Sequence, residues 1–600
     1  ALFPELLKLI QEKRKELHKG ETFPTLASRR TPEYMEELAK KVTGKIGGTA
    51  DEQRRFFEQI LKRFPECFWI DGCAPPLVKD HKIRFRMKPG AKPVARQPIP
   101  LSPYDDLRVE YHIEENVAQG KLRKIDVKKE SLPEWSTPVF VVDQDAKGLL
   151  GRMVCAYGPV NKELELSSFP SADPARAFDI AAFKDHHTVV DAIWGYTQFE
   201  ITEETRRMLV VCSRSGLYEW TRMPFGPSPA PAEMQGYVAQ KFGSLRDKQG
   251  KEFCSPCMDD LKISSATFEE HIEHMSHLCE VAREAGFEFK ATKGQFNQEE
   301  IEFWGTICGK FGRRPMPKKI KQLEEWPIPF ASDGVNSFLC FVNYLREHMN
   351  PEWIYWEQAL RQFRKKGAEF DEAWKKKVKV KFPEGVKEVL PEEAFKKIRT
   401  MLAKDVVLHH LDYEAAANPL RSGRPLEAFI DASDYGWCCT LCQRQTPQGA
   451  PKVVSIIAKA FNDTQLRWSA MERELYALWQ GVVGHERFLK GFKCYCYIDH
   501  KNNIFSEAQL DNRRRSKKMS NWALELQQFD IDRIWIRGEA NILGDAPSRA
   551  PWENAFAKLL PIPTGPVRQV IKAMYEDPDG FELLVERRKV EMDPDGSLAE

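Results

Sequence analysis

The sequence predicts a multidomain α+β protein. Its 600 residues exceed what one hydrophobic core organises, and chains of this length form roughly three to five domains. Apolar residues make up 42% and charged residues 30%, which is the balance of a globular chain rather than of a disordered one. Short apolar runs typical of strands, such as residues 187–191, alternate with amphipathic helical patterns, such as residues 268–285. A multidomain chain that contains both strands and helices is expected to belong to the α+β class.

Charge and composition exclude several classes of protein. The formal net charge is only +2, so any surface for nucleic acid has to be local. No apolar run approaches the roughly 18 residues that a membrane span needs, so no membrane partner is expected. Residues 1–20 are too charged for a signal peptide and predict a surface helix, and a start without Met predicts a fragment or a processed product. Fourteen cysteines without a secretory signal predict reduced thiols in a protein that is not secreted.

Two adjacent aspartates, Asp259 and Asp260, are the centre of the sequence. They lie inside Phe253–Ser265 between apolar or small residues, and this pattern predicts two short strands joined at the acidic pair. Neighbouring strand residues point to opposite faces, so both carboxylates reach one site only if they lie on the bend. Adjacent carboxylates in an apolar hairpin repel each other and lose hydration, and a divalent cation would remove both costs. A solvated acidic turn is the alternative interpretation of the same pair.

A second acidic strand ends at Asp191, after an apolar run. Tyr196 follows five residues later, and strand alternation alone would place it on the opposite face. The intervening Trp194–Gly195 permits a turn, which would bring both side chains to one cavity. An aspartate that merely ends a strand is the alternative.

Two C-x-x-C pairs and a run of histidines favour structural roles over metal binding. Both cysteine pairs lie in or beside strand-like runs without turn glycines, which favours buried free thiols over zinc. The histidines lie at three-residue steps on one predicted helix, and such steps rotate around the helix rather than converge. The residues concerned are Cys254, Cys257, Cys439, Cys442, His271, His274 and His277.

Several motifs occur together in one order along the chain. Asp191 with its aromatic neighbour precedes Met223–Gly226, the Asp259–Asp260 hairpin, and the segments AGFEFKATKGQF (285–296), FWGTICG (303–309) and VNSFLCFVNYLREHM (335–349). Each motif alone is weak, but the ordered set resembles gypsy-type LTR-retrotransposon reverse transcriptases. The resemblance implies a right-hand polymerase of fingers, palm and thumb. It also implies RNA-directed DNA synthesis from an RNA template, a DNA primer and deoxynucleoside triphosphates.

The resemblance implies roles for individual residues. Two-metal nucleotidyl transfer needs carboxylates that hold ions roughly 4 Å apart and stabilise the attacking and leaving oxygens. Two Mg²⁺, with Mn²⁺ as the alternative ion, would be bound by Asp191, Asp259 and Asp260. The other implied contacts with the nucleotide are Tyr196 as a gate against a 2′-hydroxyl, Lys293 as proton donor to pyrophosphate, and Phe225 and Gln235 as pocket lining.

The sequence also departs from the family. Ala156 and Gly158 stand where the family normally has Asp and Arg, and losing a bidentate arginine would weaken binding of the triphosphate. Lys147 and Arg152 are the candidates to replace that contact. A lysine-rich segment starting at Trp374 interrupts the connection after the thumb. These departures keep a second hypothesis open, that of a degenerate or domesticated, non-catalytic nucleic-acid-binding scaffold with the same fold.

A second set of acids follows residue 416. Asp431 lies on a strand hairpin and Glu474 on an amphipathic helix with a capping box, while Asp499 ends a strand and Asp545 lies in a late helix or loop. This order resembles an RNase H-like α/β domain, the usual neighbour of such a polymerase. It implies two further Mg²⁺ for hydrolysis of the RNA in an RNA–DNA hybrid. Basic residues within 513–518 are a candidate grip for the hybrid backbone.

The motifs together predict domain bounds and partners. The expected partners are an RNA template, a DNA primer and an RNA–DNA hybrid, and a homodimer stays an open alternative. The family's habit would place the protein in cytoplasmic virus-like particles or in the nucleus. The predicted domains are a helical extension (1–60), fingers and palm (61–330), thumb and connection with the lysine-rich insert (331–415), an RNase H-like domain (416–550) and a C-terminal extension without an assigned role (551–600).

Overall fold

The computed structural model describes residues 2–541 with short gaps. The gaps are residue 80 and the segments 145–147, 171–172, 350–352, 365–369, 383–384, 402–406, 500–516 and 537–540. The chain divides into two compact units, Ala1–Phe303 and Trp304–Glu600. Within the described residues, we find no helix with the length and apolar character needed to cross a bilayer.

The first unit mixes helices and strands throughout. Its described helices are α1 (Leu2–His18), α2 (Pro32–Val42), α3 (Ala50–Phe56), α4 (Pro103–Ala118), α5 (Gly158–Glu163), α6 (Pro174–Ala181), α7 (Glu203–Met208), α8 (Ala230–Phe242) and α9 (Phe268–Ala285). Its described strands are β1 (Phe68–Trp69), β2 (Lys82–Ile83), β3 (Leu122–Lys124), β4 (Thr137–Gln144), β5 (Gly148–Cys155), β6 (His186–Asp191), β7 (Glu200–Ile201), β8 (Val211–Ser213), β9 (Gly216–Trp220), β10 (Cys254–Cys257), β11 (Asp260–Ser265), β12 (Phe289–Lys290), β13 (Gln295–Gln298) and β14 (Glu300–Phe303).

A four-stranded sheet in the order β10-β11-β6-β13 carries the acidic pair. The predicted hairpin is β10–β11, and Leu261 and Ile263 of β11 are fully buried in the main core. Helix α9 packs beside β11, begins with a capping box at Thr267 and ends at Gly286, whose φ of +70° suits glycine. His271 of α9 is buried and lies 2.7 Å from the Thr188 hydroxyl of β6. The histidine therefore joins the helix to the sheet.

A second sheet of the first unit has the strand order β3-β9-β8-β4-β5. β4 pairs antiparallel with β5 and parallel with β8. Arg152 lies on β5 opposite Val142 and is exposed. The hairpin therefore presents a cation at the surface of this sheet.

The second unit begins with two short strands, continues through several helices and then forms a larger sheet. Its described helices are α10 (Pro317–Glu324), α11 (Ser332–Tyr344), α12 (Trp353–Arg361), α13 (Phe370–Trp374), α14 (Pro391–Arg399), α15 (Tyr413–Ala417), α16 (Pro419–Ser422), α17 (Ala470–Gly484), α18 (Glu486–Leu489) and α19 (Lys517–Leu526). Its described strands are β15 (Thr306–Gly309), β16 (Gly312–Pro315), β17 (Val378–Phe382), β18 (Gly385–Val389), β19 (Leu408–His409), β20 (Leu426–Ala432), β21 (Gly436–Arg444), β22 (Pro451–Ala460), β23 (Cys494–Ile498) and β24 (Ile531–Trp535).

The larger sheet has the order β22-β21-β20-β23-β24. β20 pairs antiparallel with β21 and parallel with β23. Helix α17 starts at the Ser469 capping box, as predicted, and buries Leu475, Leu478 and Val482 against the sheet. The four cysteines of the C-x-x-C pairs are free and buried. The lysine-rich insert forms the antiparallel hairpin β17–β18.

Candidate active sites

Three acids from two distant segments of the sequence meet at one edge of the first unit's acidic sheet. β6 ends at Asp191, which stands opposite Asp260, the first residue of β11. Asp259 lies in the turn before β11, and its carbonyl accepts a 2.7 Å hydrogen bond from the amide of Ala192. Met258 precedes it with φ +56°, a costly conformation for a non-glycine residue that the tight turn imposes. Only Asp259 therefore lies on the bend, while Asp260 opens the strand.

Burial and mutual repulsion set the proton affinity of this cluster. Burial raises the pKa of Asp260 to about 6, with Asp191 and Asp259 adding to the rise. Burial and then Asp191 raise the pKa of Asp259. Lys293 opposes both shifts, and its Nζ lies 3.0 Å from Asp191 Oδ2. Crowded carboxylates of this kind fit a hard divalent cation, which favours oxygen ligands and would remove the repulsion.

We expect Asp260→Asn to stabilise the metal-free protein above pH 6. The pKa of Asp260 in the folded chain, about 6, exceeds the ordinary 3.8, so the folded state binds the proton more tightly than the unfolded state. The associated stability is fully present below pH 3.8 and is lost as pH rises through 6. Asparagine removes this loss and should raise the free energy of unfolding by about 1–2 kcal/mol, allowing for solvent screening.

Denaturant unfolding in EDTA at acidic and neutral pH measures this effect. Asp51→Asn is the matched control, because the Asp51 side chain is 60% exposed. A gain from Asp260→Asn that is equal at both pH values would contradict the electrostatic explanation. Added Mg²⁺ should remove the difference between parent and variant, because the ion needs the carboxylate.

An aromatic pair and a cation lie beside the acids. The rings of Tyr196 and Phe225 are 4.8 Å apart between centroids. Burial and the charge of Asp259 raise the pKa of Tyr196. The Arg152 guanidinium carbon lies 4.8 Å from the centroid of Phe225. Tyr196, Phe225 and Arg152, the predicted gate, pocket lining and cation, therefore form one contiguous cluster. Lys147 lies outside the described residues.

Gln235 lies beneath the acidic turn. Its side chain is buried, with 4% of the residue exposed, and its Oε1 accepts a 2.7 Å hydrogen bond from the amide of Met258. A buried amide without a partner would destabilise the turn, so Gln235 holds the turn in place. Contact between Gln235 and a nucleotide stays a prediction.

The residues that hold the turn after Asp191 were missed from the sequence. Trp194 has φ +48°, which is a strained conformation for a bulky side chain. Its indole packs 4.8 Å from the ring of Trp69, and Lys121 Nζ lies 3.5 Å from its centroid. A positive φ at tryptophan has no sequence signature, because the conformation comes from tertiary packing. The neighbouring Gly195 did carry a signal, since glycine permits the close approach found there.

Ala156 and Gly158, the two residues that depart from the family, lie near the loop that carries Phe225. Ala156 donates its amide to the carbonyl of Pro138 at 3.0 Å. Gly158 begins α5, and no atom lies within 4 Å of the position that a Cβ would occupy. Asn161 of α5 donates to the Gly226 carbonyl at 3.0 Å and accepts from the Ser228 amide at 2.9 Å. Asn161 therefore anchors the loop that carries Phe225, and sequence reasoning did not identify it.

The second set of acids forms a closed group in the second unit. Asp431 comes from β20, Glu474 from α17 and Asp499 from the residue after β23. They offer ligand atoms that all lie within 4.8 Å of one another. Among the described residues of the chain, Asp191, Asp259 and Asp260 do not form so tight a group. The parallel pairing of β20 with β23 explains the proximity, because parallel strands end at the same edge of a sheet.

Glu474 has the environment of a metal ligand. Burial raises its pKa well above the usual value, and the charges of Asp431 and Asp499 add to the rise. Its Oε2 is buried without a hydrogen-bond partner in the described part of the chain. A buried carboxylate oxygen of this kind is costly unless a cation binds it. The donor set therefore fits a divalent ion.

Neighbouring side chains fix the strand ends that carry these acids. Trp535 Nε1 donates to the carbonyl of Asp499 at 2.9 Å, and Asn541 Nδ2 donates to the carbonyl of Ile430 at 2.9 Å. Lys518 lies 2.9 Å from Glu472 and 3.8 Å from the ring of Trp468, so this member of the basic run is engaged within the domain. Asp545 and residues 513–515 lie outside the described residues.

Both acidic sites fall inside matches to protein families. The family model "Reverse transcriptase (RNA-dependent DNA polymerase)" matches residues 170–308, and "RNase H-like domain found in reverse transcriptase" matches residues 421–529. The two acidic sites thus lie in regions similar to a reverse transcriptase and to its RNase H-like domain, and domains of these families generally depend on divalent metal ions.

Curated relatives refine this class. The Pol polyprotein of transposon 297 from Drosophila melanogaster is 25% identical over 466 residues, which are 77% of this chain and 40% of the relative. The Pol polyprotein of transposon gypsy from the same species is 24% identical over 435 residues, which are 72% of this chain and 39% of the relative. The chain is therefore similar to the Pol polyproteins of gypsy-type LTR retrotransposons, and the resemblance inferred from its sequence is confirmed. It spans less than half the length of either relative.

Solved structures support the predicted fold. A foamy viral protease–reverse transcriptase in complex with double-stranded DNA has a TM-score of 0.67 at 17% identity, covering 84% of this chain and 82% of that one. The foamy viral protease–reverse transcriptase in complex with RNA/DNA hybrid has a TM-score of 0.62 at 16% identity, covering 85% and 63%. The α+β prediction of a polymerase followed by an RNase H-like domain is confirmed.

Proposed function

We propose that the chain is an RNA-directed DNA polymerase that also degrades the RNA of RNA–DNA hybrids. The observation that carries the polymerase activity is the register pair Asp191–Asp260 with Asp259 in the adjoining turn. Substrates would be deoxynucleoside triphosphates on an RNA template and a DNA primer. The two solved structures in complex with double-stranded DNA and with RNA/DNA hybrid are consistent with such partners.

The described side chains suggest a division of labour at the polymerase site. Asp191, Asp259 and Asp260 would hold two Mg²⁺, which when bound supply charge stabilisation for both the attacking and the leaving oxygen. Lys293, 3.0 Å from Asp191, is within reach of the same site and would hold a proton for the pyrophosphate. Tyr196, backed by Phe225, would occupy the space of a 2′-hydroxyl. Arg152 would contribute its charge to the triphosphate in place of an arginine at residue 158.

Asp259→Asn is expected to reduce primer extension on an RNA template by at least about 10³-fold, because it removes a carboxylate that the ions require. The measurement is incorporation of deoxynucleotides in Mg²⁺ by parent and variant. Asp247→Asn is the control, since Asp247 caps a surface turn in the same unit. Failure of the parent chain to extend, despite binding template–primer, would favour the non-catalytic scaffold that Ala156 and Gly158 suggested.

The finer properties follow from the same proposal. We place the protein in cytoplasmic virus-like particles or the nucleus, as for its relatives. The proposal assigns no oligomeric state, and whether the chain forms a homodimer is a property to measure. The domain bounds predicted from the sequence stay predictions.

A further inference from the structure

The lysine-rich insert gives the second unit a strongly charged surface that neither acidic site uses. We call the strands β17 and β18 with the preceding residues 375–377 the lysine hairpin. Lys375, Lys376, Lys377 and Lys379 are all exposed. In the described part of the chain, none of these four has an ion-pair partner, although Glu388 stands opposite Lys379 in the register. Four cations within five residues are therefore left facing solvent.

Several lysines elsewhere on the surface are paired. Ion pairs one helical turn away hold Lys13 to Glu16, Lys40 to Glu36, Lys62 to Glu58, and Lys490 to Glu486. The net charge of the whole chain is only +2, so an unpaired cluster is a local feature. Like charges this close repel each other, and a polyanion would relieve the repulsion while releasing counterions.

The lysine hairpin is built as a firm platform. Its inner face packs into the core of the helical region, where Val380 is fully buried and Val389 is 8% exposed. Lys381 forms an ion pair with Asp463, which follows β22. Alternation along β17 places Lys379 on the face opposite the buried Val380. Lys375, Lys376 and Lys377 lie directly before this strand, so the four charges are adjacent to a packed hairpin.

The side chains on the outer face favour nucleic acid over other anionic partners. Protein interfaces depend on aromatic anchors, and the nearby aromatics Phe363 and Trp374 point inward, 2% and 8% exposed. Membrane binding needs an apolar face to insert, and Val386 is the large apolar residue that this hairpin exposes. Lysine is a hydrated point charge that binds phosphate without the fixed geometry of arginine. This chemistry suits contact with a backbone and without sequence preference.

We propose that the lysine hairpin is a docking surface for the phosphate backbone of a nucleic-acid duplex, additional to the two acidic sites. The inference rests on the proposed function in taking the RNA–DNA hybrid as the duplex. It requires binding and not turnover.

The test is the salt dependence of hybrid binding by the full chain carrying Asp259→Asn and Glu474→Gln, so that the hybrid stays intact. In that background, Lys375, Lys376, Lys377 and Lys379 are changed to Gln together. The control changes Lys13, Lys40, Lys62 and Lys490 to Gln and so removes the same charge. Affinity for a labelled hybrid is measured between about 50 and 200 mM salt, where each lost phosphate contact lowers the slope of log K against log salt by about 0.9.

We expect the hairpin variant to bind roughly 10- to 100-fold more weakly with a slope lower by about 2 to 4, and the control to match the parent background. The four-arginine variant at the same positions should retain affinity, and melting temperatures should agree because the lysines are exposed. Equal slopes in the hairpin and control variants would overturn the proposal. The proposal would also be overturned if the parent did not bind the hybrid. The same holds if the hairpin variant lost binding to anionic phospholipid vesicles but not to the hybrid. If the chain bound the hybrid through the lysine hairpin but did not extend a primer, the proposed polymerase activity would be refuted and the proposed docking surface would stand.

Discussion

Glu474→Gln is expected to reduce cleavage of the RNA strand of a hybrid by at least about 10³-fold and to leave primer extension unchanged. The glutamate supplies one of three ligand atoms that lie within 4.8 Å of one another, together with Asp431 and Asp499. Glutamine has nearly the same size but cannot supply the negative charge that a divalent cation needs. The measurement is the release of labelled RNA from a hybrid in Mg²⁺.

The same substitution should stabilise the metal-free protein at neutral pH. The pKa of Glu474 is raised well above 4.5 in the folded chain, so its favourable contribution is present at low pH and is lost as pH rises. Removing the charge removes that loss. Glu486→Gln is the control, because Glu486 forms an exposed ion pair with Lys490 on α18. If Glu474→Gln lowered both the melting temperature and activity, its effect would be structural and the assignment of Glu474 as a metal ligand would fail.

The sequence singles out the acids because their chemistry imposes order and spacing. Asp191 at the end of a strand, the adjacent pair at Asp259 and the helix carrying Glu474 are local patterns that a motif reader can recognise. That these acids lie close together, however, depends on contacts between residues far apart in the sequence. Asp431 and Asp499 come together only because β20 pairs with β23, and no local pattern specifies that pairing.

The residues that hold the acidic side chains in position were less predictable than the acids themselves. Gln235 is predicted to line the nucleotide pocket, and the structure shows that its side chain also accepts a hydrogen bond from the Met258 amide beneath the turn. The left-handed conformation of Trp194 depends on Trp69 and Lys121, which lie far away in the sequence. Such positions depend on packing, which the order of residue types does not reveal. Lys147 and Asp545 lie outside the described residues, so their roles stay predictions.

Gly195→Ala should separate the position of Asp259 from its charge. A Cβ on Gly195 would lie 2.5 Å from Met234 Cε and 2.7 Å from Asp259 Oδ1, closer than van der Waals contact allows. The φ of Gly195 is not in the left-handed region, so alanine strains no dihedral and the clash alone acts. The Met234 methyl and the Asp259 carboxylate, each the end of a side chain, must therefore both shift. Met234 is buried, 1% exposed, and has little room to move.

We expect this single methyl group to reduce primer extension by roughly 10²-fold, since a displacement of about 1 Å at a reacting centre costs that much. The free energy of unfolding should fall by about 1–3 kcal/mol, because the buried Met234 has to move with Asp259 to accept the methyl group. Gly334→Ala in α11 is the matched control, as its nearest contact would be an ordinary 3.4 Å from Pro329 Cβ. Hybrid cleavage should be unchanged in both variants, because Glu474 and its partners are untouched. Full extension activity in Gly195→Ala would mean that Asp259 tolerates displacement, and the geometry of the acidic turn would then not limit the polymerase.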